Sequence, residues 1–124
     1  MIRFLITVFF VTIFHLQAYA LELLMVNNKH CIYCNKFLKE VASTYKIQSL
    51  PLRIISDHDQ PEWFKTAYKT NKIKPIRGTP TFILWDETEN YEVDRIVGYR
   101  NKDQFYKKLK DVVANFLNQN DLNS

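Results

Sequence analysis

The chain's two cysteines stand three residues apart, Cys31-Ile32-Tyr33-Cys34, and what surrounds them leaves few folds open. Residues 21–26, LELLMV, form a short, almost wholly apolar run of the kind that makes a central strand covered on both faces. A polar turn follows, Asn27-Asn28-Lys29-His30. From residue 31 to about residue 45 the apolar positions Phe37, Leu38, Val41, Ala42 and Tyr45 then recur at steps of one, three and four. Those steps mark one face of an amphipathic helix. The pair therefore sits where a strand hands over to a helix, with Cys31 at or beside the first turn. Unpaired backbone N–H groups and the helix dipole favour negative charge there. A spacing of three brings Cys34 round one turn beneath Cys31, within reach of a disulfide.

The rest of the chain supplies a compact set of elements. Residues 51–55 read as a second strand, with Pro51 at its start where a missing N–H does least harm. Asp59-Gln60-Pro61-Glu62 reads as a helix start, with Asp59 as N-cap, Pro61 in the first turn and Glu62 in capping-box position; the helix is expected to run to about Thr70. A basic, irregular stretch over residues 71–78 ends in Gly78-Thr79-Pro80-Thr81. Residues 81–85 and 91–97 form strands joined by a short polar turn, hence an antiparallel hairpin. Asn101-Lys102-Asp103-Gln104 is a second capping-box pattern. It opens a helix whose Phe105, Leu109, Val112, Val113, Phe116 and Leu117 make an apolar stripe. The polar residues 119–124 are expected to be a flexible tail. The order β-α-β-α-β-β-α predicts an α/β fold: a mixed four-stranded sheet with helices on both faces, its first two strands parallel and its last two antiparallel.

The N-terminus has the pattern of an export signal. Arg3 precedes an apolar run over residues 4–16, and the small residues Ala18 and Ala20 suit cleavage after residue 20. The run is shorter than the roughly 20 residues that span a bilayer comfortably, and an uncleaved membrane anchor is the alternative. Residues 21–118 then form one domain, large enough to bury a core without many disulfides. Without Arg3 the charge balance is 16 Lys and Arg against 13 Asp and Glu, a net +3. So mild an excess, scattered among acids, speaks against nucleic-acid binding, and Lys107, Lys108 and Lys110 read as the solvated face of a helix.

Chemistry points to the cysteines. Pairs in this setting have a first thiol well below the roughly 8.5 of a free cysteine. Cys31 is then the attacking thiolate, and Cys34 resolves the mixed disulfide. The zinc reading needs two further ligands, and residues 21–124 offer only His30 and His58 as histidines and no second cysteine pair. A structural disulfide closing so short a loop restrains the unfolded chain little. No cofactor is expected beyond the redox-active Cys31–Cys34 couple. Pro80 follows Cys31 by 49 residues and directly precedes the third strand. It is either cis, which only prolyl bonds adopt at small cost, or an ordinary trans proline starting a strand.

A Cys-X-X-Cys at a strand-to-helix junction, a Thr-Pro before the penultimate strand and a final amphipathic helix together resemble the thioredoxin superfamily over nearly all of residues 21–118. Within it, LELLMVNNKHCIYC, TPTFILWD and RIVGY are most similar to SoxS-type periplasmic thioredoxins associated with sulfur oxidation. The resemblance implies a thioredoxin-like fold in which Cys31 is the nucleophile, Cys34 the resolving thiol and Pro80 a cis-proline packed against the disulfide. It also implies that Thr79 offers backbone groups to a substrate strand. Three departures stand out. Thioredoxin's first strand and helix are missing before the active site, Ile32-Tyr33 replaces Gly-Pro, and Met25 stands where thioredoxin buries an acid. Cys34 thus lacks that proton acceptor, and its deprotonation relies on water or on a group such as Arg53 or Lys36 acting electrostatically. Lys29, His30 and Lys36 flank the thiol and lower its pKa further if they stay close, and His30 as a solvated turn residue is the other reading. Tyr33 either contacts substrate or covers Cys34. Trp63, Phe64 and Trp85 read as packing.

These residues lead to an expected function: an exported, periplasmic thiol–disulfide oxidoreductase, working as a monomer that reduces protein disulfides with electrons from a membrane thiol donor. A disulfide oxidase or isomerase, and a non-catalytic redox-sensing module, are the alternatives.

Overall fold

The computed structural model describes residues 20–123. The export signal expected over residues 1–20 lies, Ala20 excepted, outside them. Eight elements follow in order: β1 (Leu21–Asn27), α1 (Ile32–Glu40), a 3-10 turn (Ala42–Thr44), β2 (Leu52–Ser56), α2 (Glu62–Lys69), β3 (Thr81–Asp86), β4 (Tyr91–Val97) and α3 (Lys102–Leu122). The sheet has the order β2-β1-β3-β4, with β1 and β2 parallel and the β1–β3 and β3–β4 pairs antiparallel. No described helix is long and apolar enough to cross a membrane.

The two central strands are buried on both faces, and their alternation sorts the core into two layers. Leu23 and Met25 of β1, with Phe82 and Leu84 of β3, pack beneath α1 and α3 against Cys34, Phe37, Val41, Phe105 and Leu109. Leu24, Val26, Ile83 and Trp85 point the other way, onto Phe64 and Ala67 of α2 and onto Ile73 of the loop after it. Phe37 is the hinge of the first layer. It is fully buried, with ring centroids 4.6 Å from Phe82, 5.3 Å from Tyr99 and 4.9 Å from Phe105, and it ties the helix carrying the cysteines to sheet and C-terminal helix alike.

Three boundaries differ from the sequence reading. The first helix ends at Glu40, not near Tyr45: Val41 is its C-cap, with φ drawn out to −118°, and the Ser43 and Thr44 hydroxyls donate to the carbonyls of Lys39 and Val41 as the chain tightens into a 3-10 turn. Asp59 does not cap α2. Pro61 occupies the cap, without a side-chain hydrogen bond, and its carbonyl accepts from Phe64 and Lys65. A proline disfavours helical geometry in the residue before it, so Gln60 cannot be the first helical residue that an Asp59 cap requires. The expected flexible tail is helical as far as Leu122, since no glycine or proline interrupts α3, and Leu117, expected in the apolar stripe, is exposed. Asn101 caps α3 as read, its Oδ1 accepting from the Gln104 N–H at 2.8 Å.

Candidate active site

The site lies at the C-terminal end of β1. Cys31 is the N-cap of α1: its backbone is extended, with φ −87° and ψ 114°, and its sulfur accepts the Cys34 N–H at 3.1 Å. Both cysteines are free thiols, Cys31 half-buried and Cys34 buried. From across the sheet the Thr79 carbonyl accepts the Cys31 S–H at 3.3 Å. The Thr79–Pro80 peptide is cis, Pro80 is buried, and its carbonyl accepts from the Gly98 N–H at 2.8 Å. Gly98 has φ +83°, a conformation that glycine adopts without a Cβ penalty. A Thr81 hydroxyl bond to the Gly78 carbonyl at 2.7 Å closes the bend. Strand end, helix start and proline bend thus converge on one sulfur.

The two thiols are driven apart in acidity. Burial pushes Cys31 up, but hydrogen bonds from Cys34, the Thr79 side chain and the Tyr33 backbone outweigh it and hold the thiol below its ordinary value. For Cys34, burial and the hydrogen bond with Cys31 push the thiol up, and a bond from the Asn28 backbone only partly offsets them. One thiol is prepared to ionise and meet a disulfide; the other keeps its proton until its neighbour's sulfur becomes electrophilic.

Of the flanking cations expected to tune the thiol, Lys36 is directed elsewhere. Lys36 donates to the Arg100 carbonyl at 2.8 Å and stands 3.8 Å from Glu40. Lys29 and His30 are exposed, and His30 is engaged through its backbone N–H to Asn28 Oδ1. Arg53 faces the opposite end of β1, paired with Glu22 at 3.0 Å and stacked over Trp63 at 5.4 Å, so it does not serve Cys34. Tyr33 is 59% exposed, beside Ile32 at 79%, and the two leave apolar surface open next to Cys31 in the chain. Trp85 and Phe64 are buried packing, as read.

Asn28 is legible in the sequence only as a turn residue, and Asp57 not at all. Asn28 shapes the whole β1–α1 turn: its carbonyl accepts from Cys31 N–H at 3.0 Å, its Oδ1 from His30 N–H at 2.8 Å, and its Nδ2 donates to Asp57 Oδ2 at 2.7 Å. The Asn-Asn pair announces a turn but not the partner 29 residues away. Both residues line a cleft of about 490 Å³ that opens beside Thr79. Among the described residues, no group of three or more His, Cys, Asp or Glu side chains is gathered to hold a metal ion.

A family model described as a thioredoxin-like domain matches residues 18–113. No curated protein matches the chain. Among solved structures, the reduced periplasmic thioredoxin SoxS from Paracoccus pantotrophus is similar with a TM-score of 0.62 and 26% identity, over 76% of this chain and 96% of that one. A thioredoxin from Thermus thermophilus aligns with a TM-score of 0.51 at 24% identity, over 75% and 73% of the two chains. The reduced C-terminal domain of DsbD from Neisseria meningitidis aligns with a TM-score of 0.51 at 11% identity, over 77% and 83%. The last two share the fold.

Proposed function

Because this chain belongs to the thioredoxin-like family and is a thiol–disulfide oxidoreductase, we propose that it is an exported, periplasmic reductase of protein disulfides. Sulfur-oxidation proteins are the substrates its resemblance to SoxS favours. The observation that carries the reading is the Cys31 sulfur itself, capped by the Cys34 N–H and facing the Thr79 carbonyl.

In this reading the Cys31 thiolate attacks one sulfur of a substrate disulfide. A mixed disulfide forms, and the substrate's other sulfur leaves as a thiolate that takes up a proton. The exposed Ile32 and Tyr33 supply contact surface, and Thr79 and Pro80 present the bend against which a substrate strand lies. Cys34 then attacks the Cys31 sulfur, its proton passing through water to the substrate sulfur that leaves, and the reduced substrate departs from the Cys31–Cys34 disulfide. Met25, fully buried in the same core layer as Cys34, offers no proton acceptor, so the proton goes to water, and the backbone hydrogen bond from Asn28 favours the Cys34 thiolate that results. A membrane thiol donor returns two electrons to the disulfide and closes the cycle; no other cofactor takes part.

The reduction potential of the couple tests the direction. A value near the roughly −270 mV of thioredoxin supports the reductase, and one near the roughly −120 mV of DsbA overturns it in favour of an oxidase. A Cys34→Ser variant, expressed with its export signal, is expected to retain the physiological substrate as a mixed disulfide on Cys31.

A further inference from the structure

The loop over residues 70–80 carries Thr79 and Pro80 to the cysteines, yet little of it has regular structure. It starts from Asn71, whose φ of 60° closes α2 in a left-handed cap, and Ile73 anchors it in the core. Between Ile73 and the bend, the loop is held by two side chains of β4. Glu92, its side chain 1% exposed, accepts the Lys74 N–H at 3.0 Å on Oε1, while its own N–H donates to the Lys72 carbonyl at 2.9 Å. Arg95 donates to both Glu92 oxygens and extends its guanidinium over the loop, to the Pro75 carbonyl from Nη1 and the Lys74 carbonyl from Nη2, each at 2.9 Å.

In a regular strand, residues three apart point to opposite faces. Here the β3–β4 register shifts between Leu84 and Trp85: Leu84 faces Asp94 whereas Trp85 faces Glu92, leaving Val93 as the extra residue. The bulge turns Glu92 to the same face as Arg95, the face under α2 and the loop. A buried ion pair is a poor way to gain stability, because desolvation opposes the attraction, but it dictates geometry through the four directed donors that the guanidinium spends here.

We propose that Glu92 and Arg95 are positioning residues for the redox site: they clamp the Lys74 and Pro75 carbonyls to β4 and thereby set where Thr79 meets the Cys31 sulfur. The clamp grips the loop between Lys72 and Pro75, and the Gly98 N–H holds it again at the Pro80 carbonyl, so residues 76–79 bridge the two ties, with Ile76 resting on the core and the Gly78 carbonyl held by the Thr81 hydroxyl. This inference rests on Cys31 being the attacking thiol.

The experiment compares Arg95→Lys, which keeps the charge but cannot serve the carboxylate and two carbonyls together, with Arg95→Gln and with Leu109→Ala, a core variant remote from the loop. The readout is the pH midpoint of Cys31 alkylation by iodoacetamide, followed on the reduced, folded proteins by mass spectrometry. The Thr79 carbonyl accepts the Cys31 S–H at 3.3 Å, so a displaced loop is expected to move the midpoint by at least about half a unit, a threefold change in the ratio of thiolate to thiol. Both Arg95 variants are expected to do so, and Leu109→Ala is expected to lower the unfolding temperature without moving it. An unchanged midpoint in Arg95→Lys and Arg95→Gln, or an equal shift in Leu109→Ala, overturns the proposal. The midpoint belongs to the free protein. A protein that fails to reduce disulfides while its midpoint responds to Arg95 therefore refutes the reductase and leaves the clamp standing.

Discussion

Phe37 offers the sharpest test of how the redox helix is held. It lies one turn beyond Cys34, is fully buried, and meets three rings within 5.3 Å. Truncation to alanine removes the ring's transfer energy and leaves a cavity walled by β3 and α3, neither of which can collapse without disturbing the sheet. The expected cost is about 3–5 kcal/mol, a large share of the roughly 5–15 kcal/mol that holds a domain of this size. With a urea slope of about 2 kcal/mol per molar, the unfolding midpoint falls by about 2 M. Phe37→Leu retains most of the apolar volume but loses the edge-to-face ring pairs, and is expected to cost about 1–2 kcal/mol. Urea unfolding followed by circular dichroism, with excess reductant so that both cysteines stay thiols, measures both variants. A loss below about 1.5 kcal/mol for Phe37→Ala would refute the claim that this ring fastens α1 to the sheet.

Two further perturbations probe the two ends of β1. Burial pushes the Glu22 carboxyl up to about 7, with a hydrogen bond to Glu87 acting in the same direction and Arg53 opposing in part. The folded state therefore holds a proton that the unfolded chain releases from about pH 4.5, and stability declines as pH rises to about 7, by at most about 3 kcal/mol and by less with Arg53 and Glu87 half-exposed. Glu22→Gln is expected to flatten that decline in unfolding free energy; an unchanged slope would count against it. Asn28→Ala strips the Asp57 Oδ2 and the His30 N–H of their partners and is expected to cost about 1–3 kcal/mol in the same urea assay. Asn28→Asp, which sets two carboxylates together, is expected to cost more, and a variant as stable as the parent would mean the turn is held by other means.

Legibility in the sequence followed the range of the interactions involved. Residues 21–26 are apolar at every position but Glu22 and became the doubly buried centre of the sheet; Asn101 lies three residues from the N–H it caps, so its helix start could be read locally. The cysteine pair was legible for the same reason, its hydrogen bond spanning three residues. What escaped was set by distant partners. Asp57 is 29 residues from Asn28, and Arg95 reaches carbonyls 20 and 21 residues back, through a strand whose bulge reverses the facing that its alternation suggests. Lys29, His30 and Lys36 show the opposite limit, since closeness in the chain gives no side-chain direction. Proximity in sequence made them look like tuning groups, but helix geometry and the Arg100 carbonyl carry Lys36 away from the sulfur.

Site-resolved alkylation of the reduced protein across pH tests the central claim most directly. The account predicts modification at Cys31 with a midpoint below the roughly 8.5 of a free thiol, while Cys34 stays unmodified until the protein unfolds. Preferential modification of Cys34, or a Cys31 midpoint at or above that of a free thiol, would contradict it.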